Sequence, residues 1–431
     1  MPSTYLSKTG SGSGATTCTF SAWVKRSELQ VTSGSPQCIW GWQNVSNSDR
    51  IVFHFNNGGS EDFRVYIQNS AGSATEMILA TNRQFRDVNC WYHIVIEIDT
   101  TQATTSDRAK LYVNGVQETS FSTATYPTQN YVLKYMSSTG NTAVGNNGVY
   151  TYPYSGLLSH VYYIDGTAYD VSTFGEFDAN GVWKPKADVS VTYGTNGFFL
   201  KMENSGSMGT DSSGNANNFT VNGTLTQTVD TPSNVYCTGN PLNLDGTGVT
   251  TLINGNLTHN NNVAATGTLA VNKGKWYYEV KRQDNGGTIT NWMYVGFRPI
   301  DRSYGTTRVY RSSNGDYYNG SAYVSYGASW GDGDILGIAL DYDNDTIEFY
   351  KNGVSQGSQT STGLCDGTLV TPIWQCSQAS GSPYLHANFG NGYFGTTAVA
   401  SAGSNGNGSI FEYDVPSGYY ALNTKNLATY G

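Results

Sequence analysis

One seven-residue pattern occurs twice in this chain, as KLYVNGV at 110–116 and as EFYKNGV at 348–354. Tyr, Asn, Gly and Val hold the same places in both copies. An Asn-Gly pair after a β-forming run is a strong short-range signal of a hairpin, because both residues accept positive φ. Each copy therefore predicts a strand that ends in a tight turn.

The residues before each copy extend this pattern. In WYHIVIEID (91–99), positions 92, 94, 96 and 98 are aromatic or aliphatic and share one face of a strand. The stretch ILGIALDYD (335–343) alternates in the same way. Alternation of period two is typical of a strand with one face on a core. Strand, turn, strand, Asn-Gly turn and strand thus occur twice, which predicts two β-sandwiches of related design.

Composition supports strands and turns throughout the chain. The 431 residues suffice for two domains, 51 of them are glycine, and only 13% are charged. Runs rich in Ala, Leu, Glu and Lys, which favour helices, are scarce. We therefore predict an all-β chain of two antiparallel, jelly-roll-type β-sandwiches in tandem, with helix confined to a turn near 172–177.

The low apolar content of residues 204–242 predicts the boundary between the two sandwiches. The first sandwich is expected at 1–203 and the second at 243–431. Residues 204–242 then act as a linker or as a segment that closes the first sandwich. A last strand, IFEYDVP at 410–416, is expected to complete the second sandwich.

Charge and cysteine content exclude several classes of function. The net charge of −9, with no basic run, argues against nucleic acid as a partner. No apolar stretch approaches the roughly 20 residues of a membrane-spanning helix, and MPSTYLSKTGSGSG lacks the features of a secretory signal. The six cysteines form no C-x-x-C pair, so we expect free thiols rather than a disulfide scaffold, and no cofactor.

The motifs of each half resemble a known family. GKWYYEV (274–280), VGF (295–297), GDGDILGIALDYDNDTIEFYKNGV (331–354) and NFG (388–390) resemble the SPRY domain in order and spacing. The first half resembles a laminin-G-like, concanavalin A-like lectin domain through FSAWVKRS (20–27), WYHIVIEID (91–99), LYVNGV (111–116) and YSGLLSHVYYIDGTAYD (154–170). Both resemblances imply two antiparallel sheets packed face to face, and the SPRY resemblance implies binding through loops at one end.

Three further segments are similar to structural proteins of marine bacteriophages: STFGEFDANGVWKPK (172–186), YGTNGFFLKM (193–202) and DSSGNANNFT (211–220). This resemblance implies a non-enzymatic virion protein, such as a tail fibre, adhesin or capsid decoration, assembled in the host cytoplasm. Its implied partners are other virion proteins and host cell-surface polysaccharide, and it would form a homo-oligomer or an array. The alternatives are a decoration protein with no ligand, a peptide-binding adaptor, and a glucan hydrolase.

The hydrolase alternative comes from EIDTTQ at 97–102. Laminarinase-like glycosidases of this fold carry E-I-D-x-x-E on one strand, which places the catalytic carboxylates on one face. Glu97 and Asp99 match that pattern, but Gln102 replaces the acid/base glutamate. An amide cannot donate and recover the proton, so we expect Glu97 on a strand and Asp99 at a turn, without catalysis.

Sugar recognition by stacking on Tyr or Trp, with Asn at the edge, is the predicted mode of binding. A calcium ion held by Asp165, Asp211 or Asp245 is a further hypothesis. Each aromatic residue also has the simpler interpretation of a cross-strand packing contact. The predicted sugar-binding residues are Trp40, Trp42, Asn44, Tyr150, Tyr152, Tyr154, Tyr304, Tyr310, Tyr317, Tyr318 and Trp330.

Overall fold

A computed structural model of the chain divides into two compact units, residues Met1–Gln227 and Thr228–Gly431. The division falls inside the segment 204–242. No helix in the described part of the chain has the length and apolar character that crossing a bilayer requires. The described residues are 4–10, 12, 14–29, 35–44, 49–56, 59–69, 75–135, 140–244, 252–260, 264–285, 293–301, 306–376 and 383–431.

The first unit consists of short strands and two 3₁₀ turns, Thr105–Arg108 and Val171–Thr173. Its strands are β1 (Tyr5–Thr9), β2 (Thr17–Arg26), β3 (Gln37–Asn44), β4 (Arg50–Phe55), β5 (Asp62–Gln68), β6 (Thr75–Gln84), β7 (Tyr92–Asp99), β8 (Ala109–Val113), β9 (Val116–Glu118), β10 (Phe121–Thr125), β11 (Gly140–Val144), β12 (Gly156–Asp165), β13 (Gly175–Phe177), β14 (Trp183–Pro185), β15 (Phe198–Leu200) and β16 (Thr220–Asn222).

These strands form two antiparallel sheets that enclose one core. Sheet A has the order β10-β6-β5-β4-β3-β11-β1-β16, and sheet B has the order β15-β12-β2-β7-β8-β9. Strands β13 and β14 form a separate hairpin. The closing strand β16 lies within 204–242 and pairs with β1. Large side chains of the two inner faces, among them Phe20, Trp40, Phe53 and Tyr163, fill the space between the sheets.

The second unit repeats the plan with its own pair of sheets. Sheet C has the order β17-β28-β19-β24-β25-β26, and sheet D has the order β18-β27-β20-β21-β22-β23. The strands are β17 (Thr258–His259), β18 (Ala264–Thr266), β19 (Lys275–Gln283), β20 (Met293–Pro299), β21 (Arg308–Arg311), β22 (Asp316–Tyr318), β23 (Tyr323–Ser325), β24 (Ile335–Asp341), β25 (Thr346–Lys351), β26 (Val354–Thr360), β27 (Val370–Cys376), β28 (Tyr384–Asn388), β29 (Tyr393–Phe394), β30 (Thr397–Ala398) and β31 (Tyr420–Ala421).

The repeated Asn-Gly turns take the same conformation in the two units. All four residues of 114–115 and 352–353 have φ between 49° and 80°, as a type I′ hairpin turn requires. In each turn the asparagine Oδ1 accepts a hydrogen bond from a backbone N–H of the strand that comes before the hairpin, that of His93 on β7 at 2.7 Å and that of Ile335 on β24 at 2.8 Å. The sequence repeat therefore encodes the same β-hairpin turn in each unit.

A later segment covers the outward face of sheet B in the first unit. Residues 166–193 pack Val171, Phe174 and Trp183 against side chains that point away from the main core. The Trp183 ring lies directly on the Asn-Gly turn, because a Cβ at Gly115 would meet the ring at 2.4 Å. Glycine is thus needed at this turn both for its positive φ and for the close approach of the indole.

The C-terminal segment 400–421 covers the outward face of sheet C in the same manner. The Phe411 ring contacts Tyr277 edge-on at 5.0 Å, and a Cβ at Gly353 would meet the Tyr413 ring at 2.6 Å. The strand predicted at 410–416 is wrong. Its backbone N–H groups at 412 and 413 donate to the buried Glu279 carboxylate, at 2.9 and 3.0 Å, instead of joining a ladder.

Regular structure returns only at the very end of the chain. Strand β31 runs parallel to β19, and helix α1 (Thr424–Tyr430) follows it. The side chain of Asn423 caps this helix by accepting a hydrogen bond from the Asn426 N–H at 2.9 Å. The sequence prediction placed helix only near 172–177, where the structure has a 3₁₀ turn, and missed α1. Seven residues are too few for a clear helical period.

Candidate functional site

The tryptophans of the WGW motif lie inside the first unit and not on its surface. Trp40 and Trp42 point into the core between sheets A and B, and Asn44 is buried as well. Their assignment to sugar binding is therefore corrected, because a fully buried ring offers no face to a ligand. The intervening Gly41 points outward, where a Cβ would lie 3.1 Å from Cα of Asn147.

Most of the aromatic residues that were predicted to bind sugar in the second unit are buried as well. Tyr310, Tyr317 and Trp330 are buried core residues, so their assignment to a binding surface is also corrected. Tyr318 stays half-buried on the outward face of sheet D, 5.0 Å from the ring of Tyr323. Strand β22 carries a tyrosine on each face, Tyr317 and Tyr318, so alternation alone cannot tell which of the two faces the core. Tyr304 lies outside the described residues.

A loop at 145–155 crosses the outward face of sheet A and carries the remaining predicted residues. Two buried asparagines hold it. Asn146 Oδ1 accepts from the Tyr152 N–H at 2.9 Å, and Asn147 Oδ1 accepts from the Thr151 N–H at 2.7 Å. The loop also joins the sheet, because the Cys38 N–H donates to the Tyr152 carbonyl at 3.1 Å. Its conformation is therefore fixed by contacts on both sides.

This rigid loop places Tyr150 in an unusual backbone conformation. Its φ of +61° is rare for a bulky side chain and costs roughly 1–3 kcal/mol. The ring is stacked on that of Tyr5, with centroids 4.6 Å apart and planes 18° from parallel. Burial raises the pKa of Tyr150, and a hydrogen bond with Ser7 opposes that rise. The strained backbone of Tyr150 thus holds its ring against the ring of Tyr5 at the surface.

Polar groups surround the stacked pair. Tyr5 and Ser7 project from the outward face of β1, since the intervening Leu6 is a core residue. Asn222 is the ladder partner of Tyr5 on β16, and its Nδ2 donates to Ser7 Oγ at 2.8 Å. We call Tyr5, Ser7, Tyr150 and Asn222 the Tyr5 cluster. All four residues are half-buried, so each retains surface for a ligand.

The other two predicted tyrosines of the loop take different positions. Tyr152 is half-buried, and its backbone bonds to Asn146 and Cys38. Tyr154 packs against the core, with its ring stacked 6.3 Å from that of Phe55. Of the eleven predicted binding residues, only Tyr150 belongs to the Tyr5 cluster. Its partners Tyr5, Ser7 and Asn222 lie too far along the chain for sequence spacing to reveal them.

A serine–histidine contact elsewhere in the unit has no nucleophilic role. Ser21 Oγ lies 2.8 Å from His93 Nε2, and the Trp183 indole N–H donates to His93 Nδ1 at 2.9 Å. Because an indole is only a donor, Nδ1 is the acceptor and Nε2 carries the proton. Burial lowers the pKa of His93 to about 3. The ring therefore donates to Ser21 and cannot accept its proton, as a general base would.

The acidic residues of EIDTTQ serve the sheet and its turn. Glu97 forms an ion pair with Lys110 at 3.5 Å and accepts a hydrogen bond from the Tyr112 hydroxyl at 3.2 Å. Asp99 accepts from the Thr101 N–H at 3.0 Å and from the Gln102 side chain at 2.6 Å. Asp99 thus caps the turn after β7, and Glu97 is held among cross-strand neighbours.

The residues considered for calcium have protein partners. Asp165 accepts from Asn196 Nδ2 at 2.7 Å. Asp211 accepts from the backbone N–H groups of Phe199 and Asn217 at 2.9 and 2.8 Å, which organises its loop. Within the described ranges, no three His, Cys, Asp or Glu residues gather as metal ligands would. Asp245 lies outside the described residues. The six cysteines, all of which lie in the described ranges, form no disulfide bonds.

Comparisons with known proteins bear on each unit separately. Residues 3–168 match the sequence model of the concanavalin A-like lectin/glucanases superfamily, and residues 275–382 match that of the SPRY domain. The chain is also similar to the E3 ubiquitin-protein ligase RKP of Arabidopsis thaliana, with 34% identity over 94 residues. That stretch is 20% of this chain and only 7% of the plant protein.

Two solved structures are similar at low identity. The SPRY domain of human HERC1 shares 15% identity at a TM-score of 0.29, covering 35% of this chain and 96% of its own. The heptameric SAP-like pentraxin from Limulus polyphemus shares 12% identity at a TM-score of 0.29, covering 39% of this chain and 72% of its own. The two family matches fall on the two β-sandwiches. This chain therefore carries a concanavalin A-like, laminin-G-like domain followed by a SPRY domain.

Proposed function

We propose that the chain is a non-enzymatic carbohydrate-binding protein of a bacteriophage particle, displayed on the particle surface. The Tyr5 cluster is the observation that carries the carbohydrate-binding part. A stacked aromatic pair with a serine and an asparagine at its edge matches what a sugar ring presents. The C–H face of a sugar packs on an aromatic ring, and the sugar hydroxyls form hydrogen bonds with the serine and the asparagine.

The cost of building the cluster supports a function for it. Left-handed backbone at a tyrosine persists only where the surroundings enforce it, and such strain concentrates at binding sites. Asn146 and Asn147 supply that enforcement through buried side chains. A loop without a binding role would gain stability by placing Gly or Asn at position 150.

The groups that could perform hydrolysis are engaged elsewhere. His93 is protonated on the nitrogen that faces Ser21, and Glu97 is bound by Lys110 and Tyr112. The outward face of sheet B, on which Glu97 and His93 lie, is packed against residues 166–193. A glucan chain would need that face open. Binding without turnover is therefore the better-supported function.

The placement on a phage particle depends on the sequence resemblance of residues 172–186, 193–202 and 211–220. Multiple copies on one particle would add the avidity that weak single contacts lack. Other virion proteins and host-surface polysaccharide are then its partners. A decoration protein with no ligand is the competing hypothesis, and the Tyr5 cluster favours the binding protein over it.

An array of bacterial surface polysaccharides, probed with the purified chain and with a Tyr5→Ala/Tyr150→Ala variant, tests this proposal. We expect binding to at least one polysaccharide by the native chain and its loss in the variant. Incubation with laminarin should release no reducing sugar from either protein. Product release that disappears in a Glu97→Gln variant would overturn the non-enzymatic assignment, and an array without any bound polysaccharide would overturn carbohydrate binding.

A further inference from the structure

A second polar group lies on the same face of sheet A, on the other side of the 145–155 loop. Gln43 on β3 and Arg50 on β4 are direct ladder partners. Both project outward, because their neighbours Trp42 and Ile51 are core residues. Directly opposed side chains have Cβ atoms about 4.5–5.5 Å apart. The two polar ends can therefore reach the same ligand group.

Arg50 is oriented by the protein, and no described residue gives it an anionic partner. Its guanidinium carbon lies 5.1 Å from the centroid of the Tyr66 ring. Its Nε is buried and makes no hydrogen bond. Among the described residues, no carboxylate forms an ion pair with it, whereas Arg26, Arg64 and Arg83 in the same unit each have one. The buried Nε is out of reach of a ligand, so an anion would bind to the two Nη groups of the stacked guanidinium.

Gln43 supplies an unused acceptor beside that arginine. Its Oε1 is buried without a hydrogen-bond donor. The 145–155 loop borders it closely, since a Cβ at Gly148 would lie 2.4 Å from the Gln43 backbone nitrogen. A buried acceptor left unsatisfied costs about 1–3 kcal/mol. A ligand hydroxyl could donate to Oε1 only after the Gln43 amide turns toward the surface, and that hydrogen bond would recover the energy.

The surroundings leave Arg50 as the source of positive charge at this position. His54 lies four residues along β4, and burial, followed by the charge of Arg64, lowers its pKa to about 4. The imidazole is therefore neutral at pH 7. Arg64 is already paired with Asp62 at 2.8 Å. Of the three basic residues His54, Arg64 and Arg50, all within the described part of the chain, Arg50 is therefore the charged one without a carboxylate partner.

We infer that Gln43, Arg50 and Tyr66 form a subsite for a uronic acid, so that the chain binds an acidic polysaccharide. The planar carboxylate of the sugar pairs with the guanidinium through two parallel N–H···O bonds, and a ring hydroxyl donates to Gln43. A uronic acid carries both groups on one ring, which neutral sugars do not. This inference depends on the proposed carbohydrate-binding function and names its ligand class.

Calorimetric titration of the full chain with oligogalacturonate, and with the same oligosaccharide after reduction of its carboxyl groups, tests the subsite. Charge-assisted hydrogen bonds predict roughly 10-fold or tighter binding of the acidic form by the native chain. Arg50→Met should bind both forms with the affinity that the native chain has for the reduced form. Arg86→Met, which removes an exposed arginine charge from the same unit, should keep the native preference.

The outcomes separate the subsite from the proposed function. Retention of the acidic preference by a folded Arg50→Met, or equal or absent binding of the two forms by the native chain, overturns the uronic acid subsite. Melting temperatures of the variants establish that each is folded. The polysaccharide array with Tyr5→Ala/Tyr150→Ala decides carbohydrate binding itself, whatever the result at Arg50.

Discussion

The indole N–H of Trp183 donates a 2.9 Å hydrogen bond to Nδ1 of His93, joining a surface hairpin to the central strand of a sheet. His93 is stacked on Trp23 with ring centroids 4.6 Å apart. The same indole covers Gly115 at the Asn-Gly turn. One side chain from a late segment thus fixes a histidine tautomer, closes an outward sheet face and explains the glycine of the repeated heptapeptide.

Replacing Trp183 by Phe should destabilise the first unit by about 1–3 kcal/mol. The ring contact with Gly115 is retained, but His93 Nδ1 becomes a buried acceptor without a donor. Hydrogen–deuterium exchange in denaturant measures the free energy of unfolding of this unit separately. Val182→Ala, at an exposed position of the same hairpin, serves as control and should have little effect. Equal stability of Trp183→Phe and the native chain would contradict this role.

The stability of the second unit should fall as the pH rises from 5 to 8, because of Glu279. Burial raises the pKa of this carboxyl from 4.5 to about 7. A raised pKa in the folded state means that its stabilising contribution is complete below pH 4.5 and is lost as the pH passes 7. The difference is about 3 kcal/mol.

A Glu279→Gln variant isolates this effect from the titration of other groups. Its unfolding free energy should change less between pH 5 and pH 8 than that of the native chain, as followed by hydrogen–deuterium exchange of β19. The unfolding free energies measured at the amides of residues 412 and 413, which donate to Glu279, should show the same difference in pH dependence between the variant and the native chain. Parallel pH profiles of the two proteins would show that Glu279 does not titrate in this range.

Exchanging Tyr150 for Asn should separate binding from stability. Asparagine accepts positive φ more easily than tyrosine, so the free energy of unfolding should stay constant or rise by up to about 1 kcal/mol. Polysaccharide binding should fall, because the partner of the Tyr5 ring is lost. Thermal unfolding and the array measure the two effects. A variant that binds as the native chain does, or that unfolds at much lower temperature, would refute this account of the strain.

The buried ion pair of Arg26 and Glu61, with N and O 2.7 Å apart, should dominate the electrostatic stability of the first unit. Arg26→Met leaves an unpaired buried carboxylate and should cost about 3–5 kcal/mol. Lys201→Met breaks a pair with Glu203 in which both side chains are exposed, at 44% and 73%, and should cost less than about 1 kcal/mol. Denaturant titration of both variants makes the comparison. Equal losses would contradict the assigned difference in burial.

The sequence was sufficient for the two sandwiches because their strands alternate clearly. Strands β7 and β24 and the turns at 114–115 and 352–353 lie where period two and Asn-Gly predict them. The prediction of a strand at 410–416 failed for a physical reason. It alternates like a strand, yet its N–H groups bind a side chain, Glu279, that is far away in sequence. No local pattern encodes such a partner.

The site was harder to predict than the fold. In WGW the glycine marks the crowded outward face, so the flanking tryptophans Trp40 and Trp42 must point inward, but this is clear only once the 145–155 loop is seen. Tyr150 was named from its aromatic character, and its binding role stays a prediction. Tyr5 and Arg50 of the proposed sites were not named, because strand order across sheet A and not spacing along the chain sets their neighbours.

The most direct test of the carbohydrate-binding face is a calorimetric titration with the polysaccharide that the array selects. The native chain, Tyr5→Ala/Tyr150→Ala and Tyr318→Ala/Tyr323→Ala would be compared. The last variant removes from the second unit a tyrosine pair that is tilted by 49° and not stacked. Loss of two stacking rings predicts binding roughly 10-fold or more weaker for Tyr5→Ala/Tyr150→Ala alone. Native affinity in that variant, or a loss confined to the Tyr318/Tyr323 variant, would contradict the account.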